Sequence, residues 1–532
     1  MKILVNAQIH TLNPQQPAAT ALAIDDHAPH TGRFLALGDD DTITEEFGER
    51  AEVEDMGGGI VLPGLIDAHI HLRNYALALS KVDCAAATKE ECLQKVAERA
   101  KQTRKDEWIL GHGWNQNEWA GGFGHAAELD VVAPEHLVFL TARSLHAAWA
   151  NTAALKAAGI NKETADPPDG AIQRGEQGEP TGILFEAAMK LVSEEIPEPT
   201  QEENVIAIQA AQEELWKVGL TGVHDFDRRR SFEALQSLHA RAGLKLRVLK
   251  HIPVERLEYA LGVGLHSGFG DDMLRIGSVK MFADGALGPR TAAMFKPYEG
   301  EPGNRGMLFV DREEIFEQGR AAVQGGLSMT VHAIGDRANH EVLAAYAQLR
   351  EFEQGEGLPH LRHRLEHAQI LHPKDVMKFA DHGIIASVQP IHATSDMFMA
   401  DRYWGERAQY SYAWKTLLES GVKLSFGSDA PVDSPNPFWG IHAAVTRRRR
   451  DGSPGSEGWY PEQKLTIEEA FFGYSIGSAY AAGMENRLGM LAPGYLADLI
   501  VVETDPFKCP PEQLQEIKPS ATMVGGDWVW RN

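Results

Sequence analysis

Eight strand-like segments separated by helical patterns constrain this chain more than any other feature. The first is the apolar run in Leu62-Pro-Gly-Leu-Ile-Asp-Ala-His-Ile-His-Leu72, and the others fall at 219–225, 246–251, 275–284, 327–333, 362–368, 384–389 and 422–429. Helical patterns lie between most of them, for example at 312–325 and 337–353. Eight βα units in series predict an α/β fold, a parallel TIM-like (β/α)8 barrel with its helices outside. In such a barrel the C-terminal ends of all the strands reach one face, so residues far apart in sequence meet there.

A chain of 532 residues exceeds the size at which one core usually stops growing. Short strand-like runs at 2–8, 21–24, 34–37 and 51–56 fill the beginning of the chain, and 498–503 and 521–530 repeat the pattern at its end. We read residues 1–62 and 485–532 as one composite β-sandwich, in which each half covers the other's edge. Residues 63–82 and 200–484 then form the barrel. The stretch 83–199 is too long for one βα connection and has strands and helices of its own, so it reads as an inserted α+β subdomain capping the active site.

The net charge of −24 argues against nucleic acid or an anionic membrane as partner. The one basic run, 447–450, reads as a solvated helix face. Cys84, Cys92 and Cys509 are too few for a disulfide framework and have no Cys-x-x-Cys spacing. The N-terminus shows no signal-peptide pattern, and no apolar stretch of about 18 residues occurs. The expectation is a cytoplasmic enzyme with a small-molecule substrate, its oligomeric state open, a homodimer included.

The candidate chemistry sits at the predicted strand ends. His69 and His71 are two residues apart, so in a strand their imidazoles share a face and offer two neutral nitrogens to a transition metal. Lys280 lies in a strand that should be buried on both sides, where a lysine is rarely tolerated. It either pairs with a core carboxylate such as Asp284, or has a depressed pKa that lets its amine take up CO2 as a carbamate able to bridge two cations. His332 and His367, on consecutive strands, have the ligand types a second metal needs. Asp429 could ligate a metal and accept a proton from bound water, although alone it would read as a turn or cap residue.

In this order His69-x-His71, Lys280, His332, His367 and Asp429 resemble the binuclear amidohydrolase superfamily. Phrases over nearly the whole chain resemble its YtcJ-like branch, which includes N-substituted formamide deformylases. They are Gly111-x-Gly-Trp-Asn-Gln-Asn-Glu-Trp119, Trp149-Ala-Asn-Thr-Ala-Ala-Leu155, Gly178-Glu-Pro-Thr-Gly-Ile-Leu-Phe-Glu186, Lys280-Met-Phe-Ala-Asp-Gly-Ala-Leu-Gly-Pro-Arg-Thr-Ala292, His332-Ala-Ile-Gly-Asp-Arg-Ala338 and Leu488-Gly-Met-Leu-Ala-Pro-Gly-Tyr-Leu-Ala-Asp498. The resemblance implies a metal-dependent hydrolase of carbon–nitrogen bonds other than peptide bonds. It would cleave an amide, N-acyl or N-formyl group through a hydroxide bridging two divalent ions, zinc foremost. His69, His71 and Asp429 would hold the more buried ion, His332 and His367 the outer one, and a carboxylated Lys280 would bridge them. Asp429 would be the catalytic residue that takes the hydroxide's proton and passes it to the leaving amine. One departure bears on substrate contacts: the branch's Asp-Gly-His phrase reads Ser144-Leu-His146 here.

Candidate substrate contacts are Trp114, Asn115 and His146 in the insertion, weighed against ordinary packing, and Arg290, which would bind a substrate carboxylate or pair with a neighbouring acid. His224, Asp225 and Asp336 are candidates to support the ligands from behind. Gly473-Tyr-Ser-Ile-Gly477 fits the nucleophile elbow of serine hydrolases, but it lies in a helical stretch and no histidine follows His442. A mononuclear deaminase is the closer rival, using His69, His71, one further histidine and Asp429 and leaving Lys280 unmodified. A catalytically inactive binding or scaffold protein could share the fold, but it has no physical need to keep all six ligand types at buried strand ends.

Overall fold

The computed structural model describes residues 1–25, 32–116, 119, 121–142, 146–168 and 170–532. The chain divides into two compact units, Met1–Tyr75 with Ile208–Asn532, and Ala76–Ala207.

The first unit is built on one sheet of eight parallel strands, each next to its predecessor in the chain. They are β1 (Leu65–Ile70), β2 (Leu220–Asp225), β3 (Arg247–Pro253), β4 (Leu274–Phe282), β5 (Met329–Ala333), β6 (Arg364–His367), β7 (Ile385–Val388) and β8 (Leu424–Phe426). The eight segments expected from the sequence are these strands. β1 and β8 close the sheet into a barrel beyond the end of the regular ladder. The Asp429 N–H donates to the His69 carbonyl (2.7 Å) and the His71 N–H to the Ala430 carbonyl (2.9 Å). Buried Asp67 completes the seam, accepting from the His69 N–H (2.9 Å), the Ser428 N–H (3.1 Å) and the Ser428 hydroxyl (2.5 Å). Glycine is required at position 427, because a Cβ there would lie 2.4 Å from the His69 nitrogen. This seam also explains why β8 stops at Phe426 although the apolar pattern runs on to Asp429: the backbone turns toward Asp67, and Asp429 sits at φ 59°.

The run 2–8, expected as one strand, is split at Asn6, whose φ of 56° bends the chain. Lys2–Val5 joins a four-stranded sheet with Ala21–Asp25, Arg33–Gly38 and Glu52–Asp55, while Gln8–His10 joins a six-stranded one. In the latter, Ile60–Pro63 from the beginning of the chain pairs antiparallel with Leu499–Val502 from its end, followed by Pro519–Val524 and Asp527–Arg531. Leu4, Ile9, Leu22, Phe34, Val61, Leu499 and Met523 share one core, so burial of apolar side chains drives the two ends of the chain together.

A buried ion pair ties this core to the barrel. Asp498 takes Arg247 of β3 in a two-pronged grip (Nε–Oδ2 2.6 Å, Nη2–Oδ1 2.7 Å) and also accepts from the Gly525 N–H (2.8 Å). Removing one partner strands the other charge in a low-dielectric interior. Asp498→Ala is therefore expected to destabilise the fold by about 3–5 kcal/mol, read as a fall in the denaturant midpoint at unchanged slope.

The second unit is α+β. Its six-stranded sheet runs Gly170–Arg174, Pro180–Glu186, Ala147–Ala150, Leu137–Ala142, Trp108–Trp114, Val82–Asp83, with one core on each face. In the first unit, Gly473–Gly477 is one turn of π-helix, and buried Ser475 donates to the Phe471 carbonyl (2.6 Å). Its hydroxyl is spent on the backbone, so it is no nucleophile. No helix among the described residues is long and apolar enough to cross a membrane.

Candidate metal centre

The C-terminal ends of β1, β4, β5, β6 and β8 bring the six predicted ligands to one face of the barrel. Hydrogen bonds behind the imidazoles decide which nitrogen each presents. His69 Nδ1 is engaged by Glu366 Oε2 (2.6 Å) and His71 Nδ1 by Asp227 Oδ1 (3.1 Å). This leaves the Nε2 atoms facing Asp429 Oδ1, at 3.5 and 3.4 Å. His367 Nδ1 donates to Gln389 Oε1 (2.8 Å), which also frees Nε2. His332 is turned the other way, with Nε2 donating to the Gly285 carbonyl (3.0 Å) and Nδ1 left as the lone pair. The His332 and His367 rings lie 4.5 Å apart and those of His69 and His367 4.9 Å. One ligand atom each from His69, His367 and Asp429 fall within 4.8 Å of one another, a spacing a single ion can span.

Burial holds His69 below the ordinary imidazole range, His367 well below it, and His332 down at about 3. These rings are neutral at physiological pH, the form a metal binds. His71 differs: burial opposes its charge, but Asp227 and Asp429 outweigh burial and push it to about 9. Burial likewise opposes ionisation of Asp429, yet His69, His392 and His71 around it keep its carboxyl well below the usual range.

Lys280 is 4% exposed, and its Nζ has no hydrogen-bond partner among the described residues. It lies 4.8 Å from the ring centres of both Phe226 and Phe282. Asp284, the alternative partner named from the sequence, is engaged by the N–H groups of Ala293 (2.8 Å), Ile334 (3.0 Å) and Gly335 (2.8 Å). Burial pushes the amine down to about 8 against the pull of Glu366 and Asp429.

The remaining predicted residues are distributed as follows. Asp225 is buried under Lys250 (2.9 Å), the Ser231 hydroxyl (2.8 Å) and the Leu72 N–H (3.0 Å), which pins the turn after His71. His224 Nδ1 meets Arg364 Nη1 at 2.9 Å, one step behind Glu366. Asp336 accepts from the Phe295 N–H (2.9 Å) at the start of the helix after β5. Arg290 pairs with Glu301 (2.8 Å) and donates to the Tyr403 hydroxyl (3.1 Å). In the second unit, Trp114 is fully buried in the core, stacks on Trp119 at 6.0 Å and donates to the Leu140 carbonyl (2.8 Å). Asn115 is half-buried at the end of that strand, and exposed His146 pairs with Glu186 (2.9 Å). Asn117 and Glu118 of the tryptophan phrase, and Ser144 and Leu145 before His146, lie outside the described residues.

Sequence reasoning missed five groups of the site, one of them Gln389 behind His367. Glu366 and Asp227 back the two β1 histidines. His392, in the helix Pro390–Trp404 after β7, reaches Asp429 Oδ2 with Nε2 (3.5 Å), while its Nδ1 is held by Asp433 (2.7 Å). Three imidazoles thus converge on one carboxylate, each backed by another. Arg364, His69 and Lys280 outweigh burial and hold Glu366 at about 2, so it is a carboxylate at any working pH. Glu366→Gln leaves the shape but weakens the acceptor behind His69, and is expected to cut metal affinity by about 10–100-fold, measurable by competition with a chromophoric chelator.

A family model described as amidohydrolase matches residues 52–530. The putative amidohydrolase YtcJ of Bacillus subtilis (strain 168) is 33% identical over 98% of this chain and 98% of its own. The N-substituted formamide deformylase of Arthrobacter pascens is 28% identical, over 98% of this chain and 97% of its own. The crystal structure of an uncharacterized metal-dependent hydrolase from Pyrococcus furiosus superposes with a TM-score of 0.76 at 30% identity, covering 95% of this chain and 100% of that one. With the barrel and the convergence of five imidazoles on one face, these likenesses lead to one assignment: the chain belongs to the amidohydrolase family.

Proposed function

We propose that this protein hydrolyses a carbon–nitrogen bond in a small molecule, an amide, N-acyl or N-formyl group, with two divalent cations, zinc foremost, at the strand ends. The observation that carries the reading is Lys280: a buried amine with no hydrogen-bond partner among the described residues, surrounded by His69, His332, His367 and Asp429. A structural lysine would have a carboxylate on it. A neutral amine can instead form an N–C bond to CO2 and release a proton, which leaves a carbamate with two oxygens. That group, four imidazole nitrogens and one carboxylate form a donor set suited to two borderline divalent ions.

When bound, the cations supply Lewis acidity, lowering the pKa of water and polarising the scissile carbonyl. Asp429 takes the proton of the attacking water at Oδ2 and returns it to the departing nitrogen. Glu366 and Asp227 keep His69 and His71 in the tautomer that presents Nε2. A one-ion reading is supported by the tight grouping of His69, His367 and Asp429, and would favour deamination. Assay of a panel of N-formyl and N-acyl amines tests the proposal. Release of free amine, lost on chelation and regained on adding zinc, is the expected result. Ammonia from an amino-substituted heterocycle with no turnover of the panel would contradict it.

A further inference from the structure

A cavity of about 190 Å³ opens at the end of the barrel away from the candidate metal centre, where β4 and β6 begin, and its lining is unusual for an acidic chain. Three arginines line it, Arg275, Arg362 and Arg364, with the imidazoles of His251 and His360 and the hydroxyl residues Ser267, Ser278 and Ser328, and no Asp or Glu is among the lining residues. Two of the arginines have their carboxylates elsewhere. Arg362 is gripped by Glu485 (2.6 and 2.7 Å), and Arg364 has Glu366 on Nη2 (2.9 Å). Arg275 has no ion-pair partner among the described residues. Asp272, the nearest acid acting on it, is instead held by Arg33 (3.5 Å) and Arg487 (3.2 Å).

The cavity is built rather than incidental. Arg364 is 1% exposed, and its Nε has no hydrogen-bond partner among the described residues, a buried charged donor left open. The Nε of Arg275 is buried and open in the same way. Two glycines keep the room. A Cβ on Gly268, which sits at φ 87°, would meet Arg275 Nη2 at 2.8 Å, and one on Gly277 would strike the His251 ring at 2.8 Å. A guanidinium with no ion-pair partner among the described residues, a second with an unused N–H, and no lining acid make a site of positive potential in a chain of net charge −24.

We propose that this cavity binds a small oxyanion of the phosphate class, with Arg275 as its principal donor. The site lies at the opposite end of the barrel from the metal ligands, touches that centre only through the Arg364–Glu366 pair (2.9 Å), and does not depend on the reaction assigned there. A planar guanidinium offers two parallel N–H donors to an oxyanion, which a water molecule would use singly. An anion there joins β3, β4 and β6 at the face of the barrel that carries stability rather than chemistry, so occupancy raises the melting temperature by mass action.

The test titrates inorganic phosphate into the full chain in a buffer of bulky organic ions, followed by calorimetry and by Tm. Both metal-loaded and chelated protein are used. Expected is saturable binding that survives chelation, a Tm that rises with phosphate, and a loss of affinity of about tenfold or more in Arg275→Gln. Arg275→Lys, which keeps the charge but not the fork, should weaken binding by less, and it carries the test if the glutamine variant fails to fold. Phosphate bound only at the metals would vanish on chelation and be untouched by either substitution. That result, or no saturable binding up to about 10 mM, well above any specific affinity, would overturn the proposal.

Discussion

Asp429→Asn is expected to lower kcat about a thousandfold or more, the scale of losing a positioned general base, with a much smaller change in KM. The asparagine keeps one oxygen for His69 and His71 and the volume of the side chain, but it cannot accept a proton. It would also set an amide N–H2 or a neutral oxygen against three imidazoles that now surround a carboxylate at 3.4–3.5 Å. The loss therefore falls on the step in which a proton moves, and a solvent-isotope and pre-steady-state comparison with the parent enzyme would locate it there. A drop confined to KM would mean that Asp429 only binds.

The second large effect concerns Lys280, where function and stability should move in opposite directions. Lys280→Met keeps the aliphatic stem and removes a buried amine that has no hydrogen-bond partner among the described residues and meets only the Phe226 and Phe282 rings at 4.8 Å and the more distant pull of Glu366 and Asp429. Such a protein should be at least as stable as the parent. Its turnover should nonetheless fall about a thousandfold or more, with loss of one or both metal equivalents, because no bridging group remains. Lys280→Ala should lose as much activity while leaving a gap beside the two rings, and a short carboxylate such as acetate should restore part of the turnover by filling it. A methionine variant that was both active and metal-replete would remove Lys280 from the chemistry. The pKa of about 8 sets the sign of the pH dependence: the neutral amine that adds CO2 is lost as pH falls below that value, so reactivation of decarboxylated protein by bicarbonate should slow from pH 8 to pH 6.

The barrel and the gathering of the candidate ligands at its strand ends were legible because both rest on period and order. A two-residue spacing of histidines in an apolar strand survives any uncertainty about where the strand ends. What surrounds the ligands was not legible, for local reasons. Glu366 and His367 are adjacent, so a regular strand would send them to opposite faces, yet both reach His69. They can because His367 sits at φ 74° and leaves the strand geometry. Sequence alternation has no sign of that turn, although a glutamate next to a candidate ligand in a buried strand was a usable hint. His392 comes from a helix, and its direction depends on how that helix packs after β7. Nothing in the sequence gives Asp67 a role, and only closure of the barrel shows that it clasps β8. The alternative partner for Lys280, Asp284, could be rejected only with three backbone donors in view.

The most direct test of the central claim is metal content per chain, by elemental mass spectrometry on protein purified without chelator or affinity nickel, together with the mass of the intact chain under non-denaturing conditions. Two equivalents of metal and an added mass of about 44 Da, one CO2 on the Lys280 nitrogen, are the result expected of a carbamate-bridged pair. One equivalent with no added mass would contradict the two-ion account and leave His69, His367 and Asp429 around a single ion.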